Sequence, residues 1–221
     1  MIKRSLVHNI ADMKLGLISD VHATVDPLRE ALTIFRQNHV DTTICAGDIA
    51  GYGEELDQTV ELLIESKCQI ISGNHDIWYL SAPVPEEKKW IKDFFSTLPE
   101  TLDFSAEGKQ IHIVHASPPN SNMKGIKLLD EQGEIMPDRK AQWSKSLEKF
   151  DYDVLIVGHT HQVFAEKLEN ILIINPGSTK FNHTCAILTL PELTVQVFPL
   201  SNKEPLKTWN WSQMERMYEN D

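Results

Sequence analysis

Apolar and polar positions follow two rhythms along this chain, and the change between them sets the expected architecture. Lys14 to Ser19 (KLGLIS), Thr42 to Ala46 and Cys68 to Ile71 are short apolar runs of the length and composition of buried strands. Between the first two, Leu28, Ala31, Leu32 and Phe35 recur at helical spacing behind Pro27, a residue that suits a first helical turn. Between the second and third, Leu56, Val60, Leu63 and Ile64 share one face of Glu54 to Ser66, whose acidic start complements the positive end of a helix. This alternation predicts a parallel sheet with crossover helices.

Pro85 to Leu98 predicts a further amphipathic helix, and Lys109 to Val114 a strand. Asp138 to Lys149 reads as a helix capped by Asp138, and Asp153 to Val157 as a strand. Then Val163 to Ala165, Ile171 to Ile174, Cys185 to Leu190 and Thr194 to Phe198 follow closely, which predicts a second, largely antiparallel sheet. The expected organisation is an N-terminal arm (1–13), one domain (14–200) and a C-terminal tail (201–221). The polar segment 117–149 is long for a connection and is the expected substrate-shaping cap. In the tail, Trp209, Trp211, Met214, Met217 and Tyr218 suit a short helix docking back on the body, with a partner surface as the alternative.

A net charge of −11 makes a nucleic-acid polymer a poor partner and leaves a small anionic substrate only if bound cations supply positive charge locally. The three cysteines are scattered and odd in number, which suits reduced thiols in the cytoplasm rather than a disulfide framework. No run approaches the length of a membrane span. Nothing in the sequence decides between a monomer and a homo-oligomer.

The chemistry lies where the apolar runs stop. Asp20-Val21-His22, Gly47-Asp48, Asn74-His75-Asp76, His115 and Gly158-His159-Thr160-His161 each close a predicted strand, and they hold five of the nine histidines. The carboxyl edge of an open α/β sheet is where such loops converge, so Asp20, His22, Asp48, Asn74, His75, His115, His159 and His161 are expected to meet. Carboxylate, imidazole and amide oxygen without sulfur suit Mn²⁺, Fe, Co, Ni or Zn²⁺ better than Ca²⁺ or Mg²⁺. The donors are too many for one tetrahedral zinc and enough for two ions about 3.5–4 Å apart, bridged by a carboxylate and a water. Such a pair would bind phosphate oxygens, bring the bridging water toward hydroxide near neutral pH and hold it in line with a leaving group. An imidazole is suited to protonate that group, and His75, next to a ligand, can sit beside the ions without binding them.

Plainer readings stand beside these. Asp20 and His22 could form a polar turn, Asp48 an Asx turn, and His159 and His161 could be surface residues, although on an extended segment both would face one way. Asp76 reads as a turn or cap carboxylate, with orientation of His75 as the lesser role. His112 is expected to be an inward strand residue, and His8, His39 and His183 to have no role. Tyr52, Asn120 and Arg139 are candidate substrate contacts, as are Asn74 and His75.

Taken in order, Asp20-x-His22, Gly47-Asp48, Gly73-Asn74-His75-Asp76, His115 and Gly158-His159-x-His161 resemble the five-block signature of the calcineurin-like metallophosphoesterases. Asn175-Pro176-Gly177-Ser178 and Gly47-Asp48-x-x-Gly51-Tyr52-Gly53 resemble its small bacterial and archaeal phosphodiesterase branch, with relatives of the diadenosine-polyphosphate-hydrolase type. The resemblance implies an α/β fold, a two-sheet β-sandwich flanked by helices in α-β-β-α layers. It implies Asp20, His22 and His161 on a first metal, Asn74, His115 and His159 on a second, Asp48 bridging, and His75 as general acid. The implied cofactors are two divalent ions, manganese foremost, and the implied reaction is attack of the bridging hydroxide on a phosphate ester. A phosphodiester is the first expectation, with a phosphomonoester, phosphoprotein or dinucleoside polyphosphate as alternatives. A non-catalytic scaffold of the same fold is the alternative from another class, and retention of His75 with every ligand argues against it.

Overall fold

The computed structural model describes residues 12–209, so the expectations for the N-terminal arm and for Trp211, Met214, Met217 and Tyr218 lie outside the described residues. The first half runs β1 (Met13–Ile18), α1 (Val25–Gln37), β2 (Thr42–Cys45), α2 (Leu56–Glu65), β3 (Gln69–Ile70), α3 (Asn74–Ser81), α4 (Lys89–Ser96), β4 (Thr101–Ala106) and β5 (Lys109–Val114). The second half runs α5 (Pro137–Ser146), β6 (Val154–Ile156), β7 (Val163–Leu168), β8 (Ile171–Pro176), β9 (Thr184–Leu190) and β10 (Thr194–Pro199). The expected helix over Pro85 to Leu98 is split, with a 3₁₀ turn at Glu86–Lys88 ahead of α4. Asp138 does not cap α5: Met136 holds the cap position and Pro137 opens the first turn, which needs no N–H there.

Two five-stranded sheets lie face to face, ordered β10-β9-β1-β2-β3 and β4-β5-β6-β8-β7. Strands β1, β2 and β3 pair in parallel, as the strand-helix alternation predicts. The second sheet departs from expectation. It is mixed, with β6 parallel to both β5 and β8 and only the edge strands β4 and β7 antiparallel to their neighbours. β9 and β10 do not join it at all; β9 pairs antiparallel with β1 and carries β10 as the edge of the first sheet. A run of strands announces hairpins, but not which open edge a hairpin will extend.

Period-two alternation divides the core into layers. Leu15, Leu17, Ile44, Ala186 and Leu188 from one sheet meet Ile111, Ile113, Val154, Ile156 and Ile174 from the other. The outer face of the first sheet, with Ile18, Cys45, Cys185 and Ile187, is covered by Leu28 and Phe35 of α1, Val60 and Leu63 of α2 and Ile91 and Phe95 of α4. Gly16 lets Phe35 lie flat on that face, since a β-carbon there would stand 2.6 Å from the ring. The outer face of the second sheet is covered by Ile126, Leu128 and Leu129 of the 117–149 segment and by Trp143 of α5. Both faces of each central strand are thus buried, which is why these strands read as continuous apolar runs. His112 is buried, as expected, with Nδ1 2.6 Å from Asp103 and Nε2 3.1 Å from the Pro119 carbonyl. The three cysteines are free thiols. Among the described residues no helix is long and apolar enough to cross a membrane.

Candidate metal centre

The five loops leave the two sheets at one edge. Asp20 and His22 follow β1, Asp48 follows β2, Asn74 opens α3 just past β3, His115 directly follows β5, and His159 and His161 follow β6. The turns that bring them inward use left-handed backbone, with φ of 51° at Asp20, 49° at His22, 55° at Asp48, 64° at His159 and 46° at His161. For non-glycine residues this costs about 1 kcal/mol or more each, and it persists only where surrounding bonds over-determine the loop. His159 and His161 are therefore not on an extended segment, and shared parity does not aim them. His161 turns to Asp20 and His22, and His159 to Asn74 and the side of His115.

Asp76 is the tie that over-determines two of these loops. Its carboxylate is buried and accepts four backbone N–H groups: Gly73 at 2.9 Å, Asp48 at 3.0 Å, Ile49 at 2.9 Å and Ala50 at 2.8 Å. One side chain thus caps α3 and stitches the loop after β2 to it, setting Asp48 against the first turn of α3. Gly73 must lack a side chain, because a β-carbon would collide with the Asp48 carboxylate and amide. Burial and the Asp48 charge push the Asp76 carboxyl up to about 7, against the pull of those donors. Replacing Asp76 by alanine strands four buried N–H groups. The expected loss is about 3 kcal/mol or more in urea unfolding of the metal-free protein. A loss below about 1 kcal/mol would sink the assigned role.

Around this frame the donors converge. The Nε2 atoms of His22 and His161 are 3.2 Å apart, and each has Asp20 Oδ1 in reach, at 3.9 and 3.2 Å. On the other side, Asn74 Oδ1 lies 3.1 Å from His115 Nε2 and 2.8 Å from His159 Nδ1, and Asp48 Oδ2 lies 3.3 Å from His115 Nε2. Three sets of side chains offer ligand atoms within 4.8 Å of one another: Asp20, His22 and His161; His22, Asp48 and His75; Asp48, His115 and His159. Asp48 belongs to two of them.

The proton positions explain why these atoms point together. His22 Nδ1 faces the Ala50 carbonyl at 3.0 Å, His115 Nδ1 the Ala46 carbonyl at 2.7 Å, and His159 Nε2 the Met123 carbonyl at 3.0 Å. A carbonyl only accepts, so those nitrogens carry the hydrogens, and in each neutral ring the opposite nitrogen aims a lone pair into the cluster. Converging lone pairs, with two carboxylates among them, repel unless a cation or proton stands between them. The Asn74 amide shows the same tension, since turning it over would let its nitrogen donate to both His115 and His159. This donor set fits divalent cations.

The charges respond accordingly. Burial pushes the Asp20 carboxyl up, but His161, His115 and His22 together pull it well below the ordinary range. Asp48 is likewise driven up by burial and brought lower overall by His115. Burial drives His22 down to about 4, and also lowers His75 and His159. His115 is lowered by burial but held up at about 9 by Asp48 and Asp20, so binding a cation through its Nε2 would release a proton.

His75 stands at the rim, half-buried, its main-chain N–H donating to Asp48 Oδ1 at 2.8 Å. The rings of Tyr52 and Trp78 each lie 4.7 Å from its ring, and both are well exposed. Asn120 is turned to Glu100 and Arg139 to Gln142. Four further residues at the cluster carry no local motif of their own in the sequence. The Ser178 hydroxyl donates to the Asp20 carbonyl at 2.6 Å, the Met123 carbonyl holds His159, Phe181 stacks on His161, and Trp209 stacks on Phe181. Only Ser178 stands in a segment singled out by resemblance.

Known proteins are similar to this chain in sequence and fold. An uncharacterised protein of Methanocaldococcus jannaschii is 26% identical over 180 residues, covering 74% of this chain and 68% of its own length. A phosphodiesterase of the same organism is 23% identical over 197 residues, covering 87% and 96%. The crystal structure of a metallophosphoesterase from Sphaerobacter thermophilus superposes with a TM-score of 0.62 at 20% identity, covering 94% of each chain, and so shares the fold. The model of the calcineurin-like phosphoesterase superfamily domain matches residues 13–192. With that span covered, the chain belongs to the calcineurin-like phosphoesterase superfamily.

Proposed function

We propose that this protein is a phosphodiesterase whose cluster holds two divalent cations. Asp20, His22 and His161 surround one, Asn74, His115 and His159 the other, and Asp48 is shared. The observation that carries this reading is the convergence of lone pairs from His22 Nε2, His115 Nε2 and His159 Nδ1 with the carboxylates of Asp20 and Asp48. Two bound cations would draw in the phosphate oxygens, offset their charge and bring the pKa of water toward neutrality. Manganese, iron, cobalt, nickel and zinc all suit this donor set, with manganese foremost in the reading.

The chain's own groups do the rest. The backbone carbonyls of Ala50, Ala46 and Met123 fix the tautomers and so the direction of three imidazoles. Asp48 joins the cluster to His75 through the His75 N–H. A ring nitrogen of His75 lies within 4.8 Å of ligand atoms on His22 and Asp48, close enough to hand its proton to the departing alkoxide. Tyr52 and Trp78 form the walls on which the leaving alcohol rests, and the 117–149 segment caps the other side through Met123. A second ester group has somewhere to lie, which favours diesters, as the name of the archaeal relative also does.

The test is hydrolysis of bis-p-nitrophenyl phosphate and p-nitrophenyl phosphate in parallel, by metal-stripped protein refilled with Mn²⁺, Ni²⁺, Zn²⁺ or Mg²⁺. Activity is expected only after refilling, with the diester preferred. A preference for the monoester would replace the substrate class and keep the site. Two bound ions with neither ester cleaved would favour a narrow dinucleotide specificity or a scaffold.

A further inference from the structure

The imidazoles of the cluster are not all held in the same way. His22, His115 and His159 each give a ring hydrogen to a backbone carbonyl. Among the described residues no carbonyl meets the other ring nitrogen of His161. Its ring is held by stacking instead. Phe181 lies 5.1 Å away at 27°, and on Phe181 lies Trp209, 5.0 Å away at 19°. The His161 backbone is clamped by the same segment. Its carbonyl accepts the Trp209 N–H at 3.0 Å and the Asn182 side-chain amide at 2.9 Å. That amide also donates to the Leu206 carbonyl at 2.7 Å, and the Lys207 carbonyl accepts the Val163 N–H at 2.8 Å. Residues 206–209 therefore form a strap along the His161 loop, and this strap lies beyond residue 192, where the match to the family domain ends.

We infer that Trp209 is a positioning residue for His161: through Phe181 it aims the imidazole at the cation position shared with Asp20 and His22. Occupancy of that position then depends on a segment C-terminal to the family domain, whereas the position held by Asn74, His115 and His159 does not. A stack is a suitable device here. His161 sits on a strained left-handed residue at the loop tip, and a flat apolar face fixes its ring plane without competing for the nitrogen that faces Asp20.

The inference rests on the two-cation reading, and the experiment separates their failures. Metal-stripped full-length protein is titrated calorimetrically with Mn²⁺, as wild type, Trp209→Leu and Trp209→Phe. Leucine fills space without a flat ring; phenylalanine keeps one. Wild type is expected to take up two ions. Trp209→Leu is expected to weaken one of them by about tenfold or more, the scale of losing an outer-shell support of a metal ligand, and to spare the other. Trp209→Phe is expected to restore most of that loss, and a purely structural role for the indole would not produce a one-site effect that any flat ring rescues. Equal affinities in the leucine and phenylalanine variants, or equal weakening at both positions, overturns the inference. Failure of wild type to bind two ions overturns the two-cation reading and this inference with it, before any variant is compared.

Discussion

Replacing His75 by alanine is expected to lower the turnover of a phosphodiester with an alkyl leaving group by about 10²–10⁴-fold, with binding of the two proposed cations retained. The range is the usual worth of a positioned proton donor. The leaving group decides how much of it appears. An alkoxide needs its proton as the bond to phosphorus breaks, whereas p-nitrophenolate departs stable at neutral pH. The loss on bis-p-nitrophenyl phosphate is therefore expected to be markedly smaller than on an alkyl diester. Metal binding is expected to survive because the structural service of residue 75 comes from its main chain, whose N–H donates to Asp48 Oδ1. Alanine keeps that N–H. Comparison of kcat for the two diesters, beside a Mn²⁺ titration, checks each part. An equal loss on both leaving groups would argue that His75 holds the phosphate rather than moving a proton.

Asp48→Asn is expected to remove at least about 10²–10³-fold of kcat/KM, the scale of losing one preorganised electrostatic contact, and to weaken cation binding on both sides of the cluster. The asparagine oxygen can still accept the His75 N–H, so α3 stays docked. What is lost is the buried charge, and Asp48 is the residue common to the His22–His75 group and the His115–His159 group. The metal-free protein should report the same change. His115 is held at about 9 chiefly by Asp48, against the downward push of burial. Without that carboxylate the push of burial prevails and His115 loses its proton at a lower pH, which NMR of its ring can follow. Selective loss of one ion, with the other bound as in wild type, would show that Asp48 serves a single position.

The order of the polar clusters was legible because each follows directly on an apolar strand, so the carboxyl edge of the sheets collects them whatever the intervening helices do. The same short-range signals found α1, α2 and the parallel core strands. They missed α3, which begins on the Asn74-His75 turn itself, and β4, an edge strand whose partly exposed alternation is weak. They also placed β9 and β10 in the wrong sheet.

The sequence alone determined which chemistry is available: seven donors of carboxylate, imidazole and amide type, and one further histidine beside them. Tertiary structure decided how they divide. His22 meets His161 across 139 positions of chain, and Asn74 meets His159 across 85, through left-handed turns that no local pattern announces. Such pairings depend on which loops the two sheets bring face to face. The proton on His22, His115 and His159 depends in turn on a backbone carbonyl from another segment. The stack of His161, Phe181 and Trp209 joins three loops distant in sequence, because stacking asks only for flat faces in register and leaves no trace in the spacing of residues.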